Sequence, residues 1–144
     1  METTNEIKDR LIRFGVKPSL QRIAIMRYLL THPTHPTADT IFNDLYPGIP
    51  TLSKTTVYNT LKLLTEHQAI LCLNIDEKNC RYDGDISPHA HFRCRNCGRV
   101  FDLLLKGSEQ LQPLGADEFA VTECQVYYKG YCKDCKRLIE TTTN

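Results

Sequence analysis

Two C-x-x-C pairs constrain this chain more than any other feature. Cys94 and Cys97 form the first pair, and Cys132 and Cys135 form the second. Two thiolates on a tight turn can bind one side of a tetrahedral ion, and a second such turn completes a four-sulfur site. A thioredoxin-like redox motif and paired disulfides are the alternatives. The odd number of cysteines, seven, does not suit a disulfide framework. Because two matched pairs occur in one small chain, we predict a structural zinc site that joins two distant segments.

The composition changes near residue 83. Before it, apolar residues recur at helical spacing; after it come five of the cysteines and alternating segments typical of strands. A chain of 144 residues can hold two small domains, and we predict them at residues 1–83 and 84–144. The second is so short that apolar burial alone would barely sustain it, so we expect zinc to stabilise its fold.

Charge and hydropathy limit where the protein can act. No segment approaches the roughly 18 consecutive apolar residues of a membrane span, and the first residues do not resemble a signal peptide, so we expect a soluble cytoplasmic protein. The formal net charge is +1. Residues 1–82 hold 10 basic and 8 acidic side chains, and residues 83–144 hold 8 and 9. Any surface for nucleic acid must therefore be local.

The first 83 residues predict four helices followed by a β-hairpin. The hairpin would pair residues 70–75 with 80–83 across a polar turn. Helices followed by such a hairpin indicate a winged helix, and a small helical domain is the alternative. The predicted helix N-caps are Asn5, Ser19, Thr37 and Ser53.

The fourth helix has two different faces. Val57, Leu61 and Leu64 share one side at helical spacing, which should face the core. The opposite side carries a phenol, an amide, hydroxyls and a cation, a set suited to phosphates and base edges in a major groove. A merely solvated polar face is the alternative. The polar side consists of Thr55, Tyr58, Asn59 and Lys62.

A second group of candidate ligands surrounds the first cysteine pair. His89 and His91 point to the same side if this segment is a strand, and Asp83 and Asp102 lie nearby in the sequence. Imidazoles with carboxylates suit Fe²⁺, Mn²⁺ or Zn²⁺. The alternatives are ordinary surface residues and a zinc-dependent hydrolase that uses both histidines and one acid.

The motifs together resemble one protein family. Ser53–Leu61, Arg81-Tyr82-Asp83, His89-x-His91 and the two cysteine pairs follow the order of the ferric uptake regulator family, and His35 lies in a similar loop before the third helix. The resemblance implies an α+β protein with an N-terminal winged-helix DNA-binding domain and a small α/β dimerisation domain. It also implies a homodimeric repressor, not an enzyme, that binds a pseudo-palindromic operator in double-stranded DNA.

The resemblance also assigns roles to residues. Cys94, Cys97, Cys132 and Cys135 would hold structural zinc. The regulatory ion, Fe²⁺ or Mn²⁺ and in a purified sample also Zn²⁺, would be bound by His35, Asp83, His89, His91 and Asp102. The expected DNA contacts are Lys17, Arg22, Thr55, Thr56, Tyr58, Asn59 and Lys62.

Two residues are similar to the peroxide-sensing branch of the family, namely Asp102 and Asn59, where iron sensors more often carry glutamate and arginine. That branch loses its operator when bound Fe²⁺ and hydrogen peroxide oxidise a ligand histidine, which here would be His35 or His89. Iron-responsive repression without peroxide sensing is the alternative.

The remaining cysteines are assigned to packing. Cys124 stands where some members carry a histidine of a further metal site, and Ala90 replaces an acid of that site, although Glu109 could serve it. We expect Cys124 to be a buried, inert thiol, with a soft metal ligand or a directly oxidised thiol as the alternatives. Cys72 and Cys80 are expected to face each other across the hairpin as packing residues, with a disulfide switch as the alternative.

Overall fold

A computed structural model of the chain describes residues 1–105 and 115–142. It divides into two compact units, Met1–Ile86 and Ser87–Asn144. The boundary predicted from the sequence lies slightly earlier, after Asp83. Among the described residues, no helix is long and apolar enough to cross a membrane.

The described residues of the first unit form four helices and a two-stranded antiparallel hairpin, the order predicted for a winged helix. Leu71 pairs with Asp83, Cys72 with Tyr82 and Leu73 with Arg81, so the paired strands are shorter than predicted. The elements are α1 (Thr4–Arg13), α2 (Leu20–Thr31), α3 (Ala38–Leu45), α4 (Lys54–Glu66), β1 (Leu71–Leu73) and β2 (Arg81–Asp83).

Three of the four predicted N-caps are confirmed, and the first is wrong. The side chains of Ser19, Thr37 and Ser53 each accept a hydrogen bond from a backbone N–H in the first turn of their helix. Thr3, not Asn5, caps α1. Thr3 is the better cap because it lies three residues before Glu6, whose carboxylate accepts a hydrogen bond from the Thr3 N–H at 2.6 Å. Two otherwise unpaired amides are thereby satisfied together.

The core of the first unit is aliphatic and lies between the helices. Val57, Leu61 and Leu64 of α4 are fully buried, which confirms the predicted inner face. They pack with Ile7 and Leu11 of α1 and with residues of α2 and α3. Burial of this apolar surface is the main stabilising contribution in this unit.

The second unit contains a three-stranded sheet and a helix. The strand order is β4-β3-β5, with β3 antiparallel to β4 and parallel to β5. Buried Cys94, Cys132 and Cys135 form a cluster against Phe92 and Phe101. The elements are β3 (Ala90–Cys94), β4 (Val100–Leu103), β5 (Tyr127–Gly130) and α5 (Lys133–Thr142), with a short 3₁₀ turn at Ala116–Glu118.

The expectations for two packing cysteines are corrected. Cys124 is exposed and precedes β5, so it is not a buried thiol. Cys80 is also exposed, and Tyr82 stands opposite Cys72 because the strands pair two residues away from the predicted match. Glu109 lies outside the described residues.

Candidate metal centres and nucleic-acid surface

The four paired cysteines converge because two strands run parallel. Cys94 ends β3 and pairs with Gly130, which ends β5. The carboxyl ends of parallel neighbours lie at the same edge of a sheet, so the segments that follow them begin side by side. The turn after β3 holds Cys94 and Cys97, and the start of α5 holds Cys132 and Cys135. Gly98 closes the first turn with φ +76°, a backbone conformation that disfavours other residues.

The sulfur atoms have the spacing of a tetrahedral site. The Sγ atoms of the four cysteines all lie within 4.8 Å of one another, and those of Cys97 and Cys132 are 3.8 Å apart. Four sulfurs at the usual Zn–S bond length would be separated by about 3.8 Å. The residues present therefore fit a structural zinc ion.

Donors around the sulfurs favour thiolates. The backbone N–H groups of Cys97 and Cys132 donate to Cys94 Sγ at 3.5 and 3.4 Å. Arg99 donates from Nε to Cys97 Sγ at 3.3 Å and from Nη2 to Cys132 Sγ at 3.6 Å. Asp134 accepts a further bond from Arg99 Nη2 at 3.1 Å, which fixes the guanidinium. The cation offsets part of the negative charge of a four-thiolate site.

The pKa values of the thiols depend on burial, which favours the neutral form, and on these donors, which favour the thiolate. Burial raises the pKa of Cys94, but backbone N–H donors outweigh it and lower that pKa to about 6. The Arg99 hydrogen bond lowers the pKa of Cys97. The Asn96 amide lowers the pKa of Cys135, yet burial and the neighbouring thiols raise it to about 11. A divalent cation would supply the positive charge needed for all four sulfurs to ionise.

The first unit holds a buried imidazole–carboxylate pair. His35 Nε2 lies 3.3 Å from Asp83 Oδ2, and the two side chains are 2% and 3% exposed. Asp83 ends β2, and its Oδ1 accepts a hydrogen bond from the Asp85 N–H at 2.9 Å. A buried carboxylate beside an imidazole suits either a proton or a metal ion between them.

In the second unit, two imidazoles lie close to the same carboxylate. Asp102 Oδ1 lies 3.0 Å from His89 Nε2 and 3.4 Å from His91 Nε2. His91 and Asp102 face each other in the β3–β4 register, and the rings of His89 and His91 have centroids 4.3 Å apart. His89 Nδ1 lies 2.6 Å from the Ser87 carbonyl, which favours the tautomer with its proton on Nδ1 and its lone pair on Nε2, the form that can bind an ion. These residues fit a metal ion of intermediate hardness.

The predicted DNA contacts share one surface of the first unit. Lys17, Arg22, Thr56 and Asn59 line a cavity of about 400 Å³ between the starts of α2 and α4. Arg22 Nη1 donates to the Lys17 carbonyl at 2.8 Å, which ties the Arg22 side chain to the backbone at the rim of this cavity. Outside the cavity, Thr55, Lys62 and the half-exposed Tyr58 also lie on the polar face of α4.

The comparison with protein-family models gives a match over residues 13–129, described as the ferric uptake regulator family. The chain belongs to this family. The match confirms the resemblance inferred from the motifs and covers every predicted ligand except the second cysteine pair.

Among individual proteins, the chain is similar to a peroxide-responsive repressor from Staphylococcus epidermidis. It is 34% identical over 128 residues, which cover 88% of this chain and 85% of the relative. Among solved structures, the Helicobacter pylori ferric uptake regulator has a TM-score of 0.74 at 22% identity and covers 94% of this chain and 95% of its own. The Campylobacter jejuni peroxide stress regulator has a TM-score of 0.68 at 26% identity, with coverages of 94% and 100%. The α+β fold is therefore that of the family.

Three side-chain contacts at the candidate sites were not predicted from the sequence. Arg99 contacts the cysteine site, Asp39 accepts a hydrogen bond from the Tyr58 hydroxyl at 3.2 Å, and Arg81 contacts the loop of His35. For Arg99 a signal existed, since a cation two residues after a predicted thiolate can reach it. For Asp39 and Arg81 the contacts cross between elements, so local spacing gives no signal.

Proposed function

We propose that this chain is a metal-dependent transcriptional repressor that senses peroxide. One observation supports this most directly: each unit has its own imidazole–carboxylate group. His35 and Asp83 belong to the winged-helix unit, and His89, His91 and Asp102 belong to the sheet unit. An ion bound by both groups would couple the sheet unit to the unit that reads DNA.

The winged-helix unit would bind the operator through α4. Exposed Tyr58 and Asn59 would enter the major groove, and Lys17, Arg22 and exposed Lys62 would contact phosphates. In a homodimer, two such helices would read half-sites about one helical turn apart in a pseudo-palindrome. The regulatory ion would favour the arrangement of the units that places both helices correctly. Such a repressor acts in the cytoplasm, where the operator DNA is.

Peroxide sensing would act through a ligand histidine. Bound Fe²⁺ would supply the redox chemistry by which hydrogen peroxide transfers one oxygen atom to a ligand ring and leaves as water. His35 and His89 present Nε2 toward a carboxylate, so their rings would lie next to this reaction. Addition of one oxygen atom to either ring removes a neutral imidazole donor. The ion would then be lost and the operator released.

The test compares two metal forms of the zinc-loaded protein. A duplex is selected from random DNA with the Mn²⁺ form, and binding is measured for the Fe²⁺ and Mn²⁺ forms before and after dilute peroxide. We expect binding to be lost in the Fe²⁺ form alone, with one added oxygen in the peptide of His35 or His89 by mass spectrometry. Unchanged binding of the Fe²⁺ form would favour an iron-responsive repressor. Metal-dependent hydrolysis without DNA binding would overturn the proposal.

Two neighbouring variants on α4 separate base reading from phosphate contact. Asn59→Ala should cost about 1–3 kcal/mol at particular base pairs and little on unrelated DNA. Lys62→Ala should instead weaken binding to all sequences alike and reduce its salt dependence. Electrophoretic titration against the selected duplex and single-base variants measures both effects. Equal losses for the two variants on every duplex would contradict base reading by Asn59.

A further inference from the structure

The histidine of the first unit has an unfavourable backbone. His35 has φ +57°, in the left-handed region that residues with a β-carbon rarely adopt. Such a conformation persists only where surrounding contacts fix it. Three consecutive residues of β2 supply contacts of this kind to His35 and Pro36.

Each of the three contacts uses a different group. Arg81 Nη1 donates to the His35 carbonyl at 3.2 Å. The Tyr82 N–H donates to the Pro36 carbonyl at 3.0 Å, and Asp83 Oδ2 faces the His35 ring at 3.3 Å. Arg81 thus contacts the backbone of the strained residue, whereas Asp83 contacts its ring.

The Arg81 side chain is held in place by an acid of the hairpin turn. Its Nε lies 3.1 Å from Asp76 Oδ2, and the Asp76 side chain is only 7% exposed. The other oxygen of Asp76 accepts a hydrogen bond from the Lys78 N–H at 3.0 Å, which holds the carboxylate within the turn. The guanidinium therefore connects a fixed acid of the hairpin to the carbonyl of His35. A planar fork can make both contacts at once, whereas an ammonium group cannot match that geometry.

We propose that Arg81, anchored by Asp76, is a positioning residue that holds His35 in its metal-binding conformation. This inference rests on the proposed function, because it takes His35 as a ligand of the regulatory ion. Arg81 does not touch the ion; it acts by keeping the left-handed backbone of His35 populated before the ion binds. Without Arg81 the same metal ligands would be present. The ion would then have to order the loop of His35 when it binds, and this ordering would reduce the binding affinity.

The experiment uses the full zinc-loaded chain and Mn²⁺ alone as the probe, titrated in competition with a fluorescent chelator. Arg81→Met should weaken Mn²⁺ binding about tenfold or more, as expected when a partner of a ligand is lost. Arg81→Lys should restore part of the affinity. Arg10→Met is the matched control, because it breaks the ion pair of Arg10 with Glu2 in the same unit without touching His35. Equal Mn²⁺ affinity in the Arg81→Met and Arg10→Met proteins would overturn the inference.

A second arm separates positioning from a general loss of structure. In a His35→Ala background, Arg81→Met should cause no further loss of Mn²⁺ affinity, whereas general destabilisation would lower it in both backgrounds and would overturn the inference. If Arg81→Met does not fold, Asp76→Asn serves instead and should weaken Mn²⁺ binding by a smaller factor. Wild-type Mn²⁺ affinity in His35→Ala would show that His35 is not a ligand and would overturn the proposed ligand set. Weakened binding in His35→Ala together with wild-type affinity in the Arg81 and Asp76 variants would overturn the positioning role and leave the ligand set intact.

Discussion

The two units are stabilised by different chemistry. The first has a core of aliphatic side chains from all four of its described helices, with Leu11, Ile41 and Leu61 fully buried. In the second, the buried members of the cluster next to the described sheet are Cys94, Cys132 and Cys135. Thiols that would otherwise be a small apolar cluster become a strong cross-link when they bind zinc. The first unit should therefore fold without metal, and the second should not.

The candidate ligands differ in the same way. All four sulfur ligands belong to the second unit, and the soft, closed set suits permanently held zinc. The imidazoles and carboxylates are divided between the units, and they suit ions that bind and exchange more readily. Under the proposed function, one set of ligands would serve folding and the other would serve regulation.

The largest expected effect is the loss of the zinc site. Cys94→Ser should abolish stoichiometric zinc binding and unfold the second unit, while the helices of the first unit persist. Zinc content together with limited proteolysis measures this. Cys80→Ser is the matched control, because Cys80 is exposed and belongs to the other unit. A fully protease-resistant Cys94→Ser chain would contradict the contrast between the units.

The aliphatic core gives the next effect. Leu61→Ala removes a fully buried side chain and should lower the free energy of unfolding of the first unit by about 2–5 kcal/mol. The zinc content should not change. Leu20→Ala removes the same atoms from a side chain that is 87% exposed and should change stability by less than about 0.5 kcal/mol. Urea denaturation followed by helical circular dichroism separates them, and similar midpoints for both variants would be inconsistent with this core.

A smaller effect is expected around the sulfurs. Arg99→Gln keeps all four cysteines but removes the cation that donates to Cys97 and Cys132. Zinc affinity should fall about 10–100-fold, measured by competition with a chelator. The control is Arg95→Gln on the same turn. Arg95 donates a hydrogen bond to the Gly130 carbonyl through its backbone N–H, which the substitution keeps. Indistinguishable affinities would show that the Arg99 contacts do not matter.

The smallest effect is at the start of α1. Thr3→Ala removes the cap and should cost about 1 kcal/mol. Hydrogen bonds from Thr3 lower the pKa of Glu6, so the contribution of the box is present above the ordinary pKa of a glutamate and is lost as the pH falls through the lowered value. Urea titrations at neutral and acidic pH measure both. Asn5→Ala should be nearly neutral, and a greater loss there than at Thr3 would restore the cap predicted from the sequence.

Local patterns predicted most of the first unit and the cysteine site. The inner face of α4 follows from helical spacing, because Val57, Leu61 and Leu64 recur at the period of a helix. The four-cysteine site follows from paired thiols, since few other arrangements satisfy them in a small domain. In each case the pattern is local: the three apolar residues of α4 span eight positions, and the two cysteines of each pair are three positions apart.

Contacts between distant elements were not predictable. The hairpin register placed Tyr82, not Cys80, opposite Cys72, because the loop between the paired strands is longer than the four-residue turn predicted from the sequence. The contact of Arg81 with the loop of His35 joins residues 46 positions apart. The parallel pairing of β3 with β5, which brings the cysteine pairs together, is likewise a property of the folded sheet.

Control of DNA binding by a second, exchangeable ion is the central claim. It is tested most directly by measuring the affinity of the zinc-loaded chain for the selected duplex as free Mn²⁺ is raised, beside a His91→Ala variant. We expect the affinity of the wild type to rise as Mn²⁺ binds, while the variant keeps its zinc and responds weakly. If the wild type binds the duplex equally well with and without Mn²⁺, the divided ligand set does not control DNA binding.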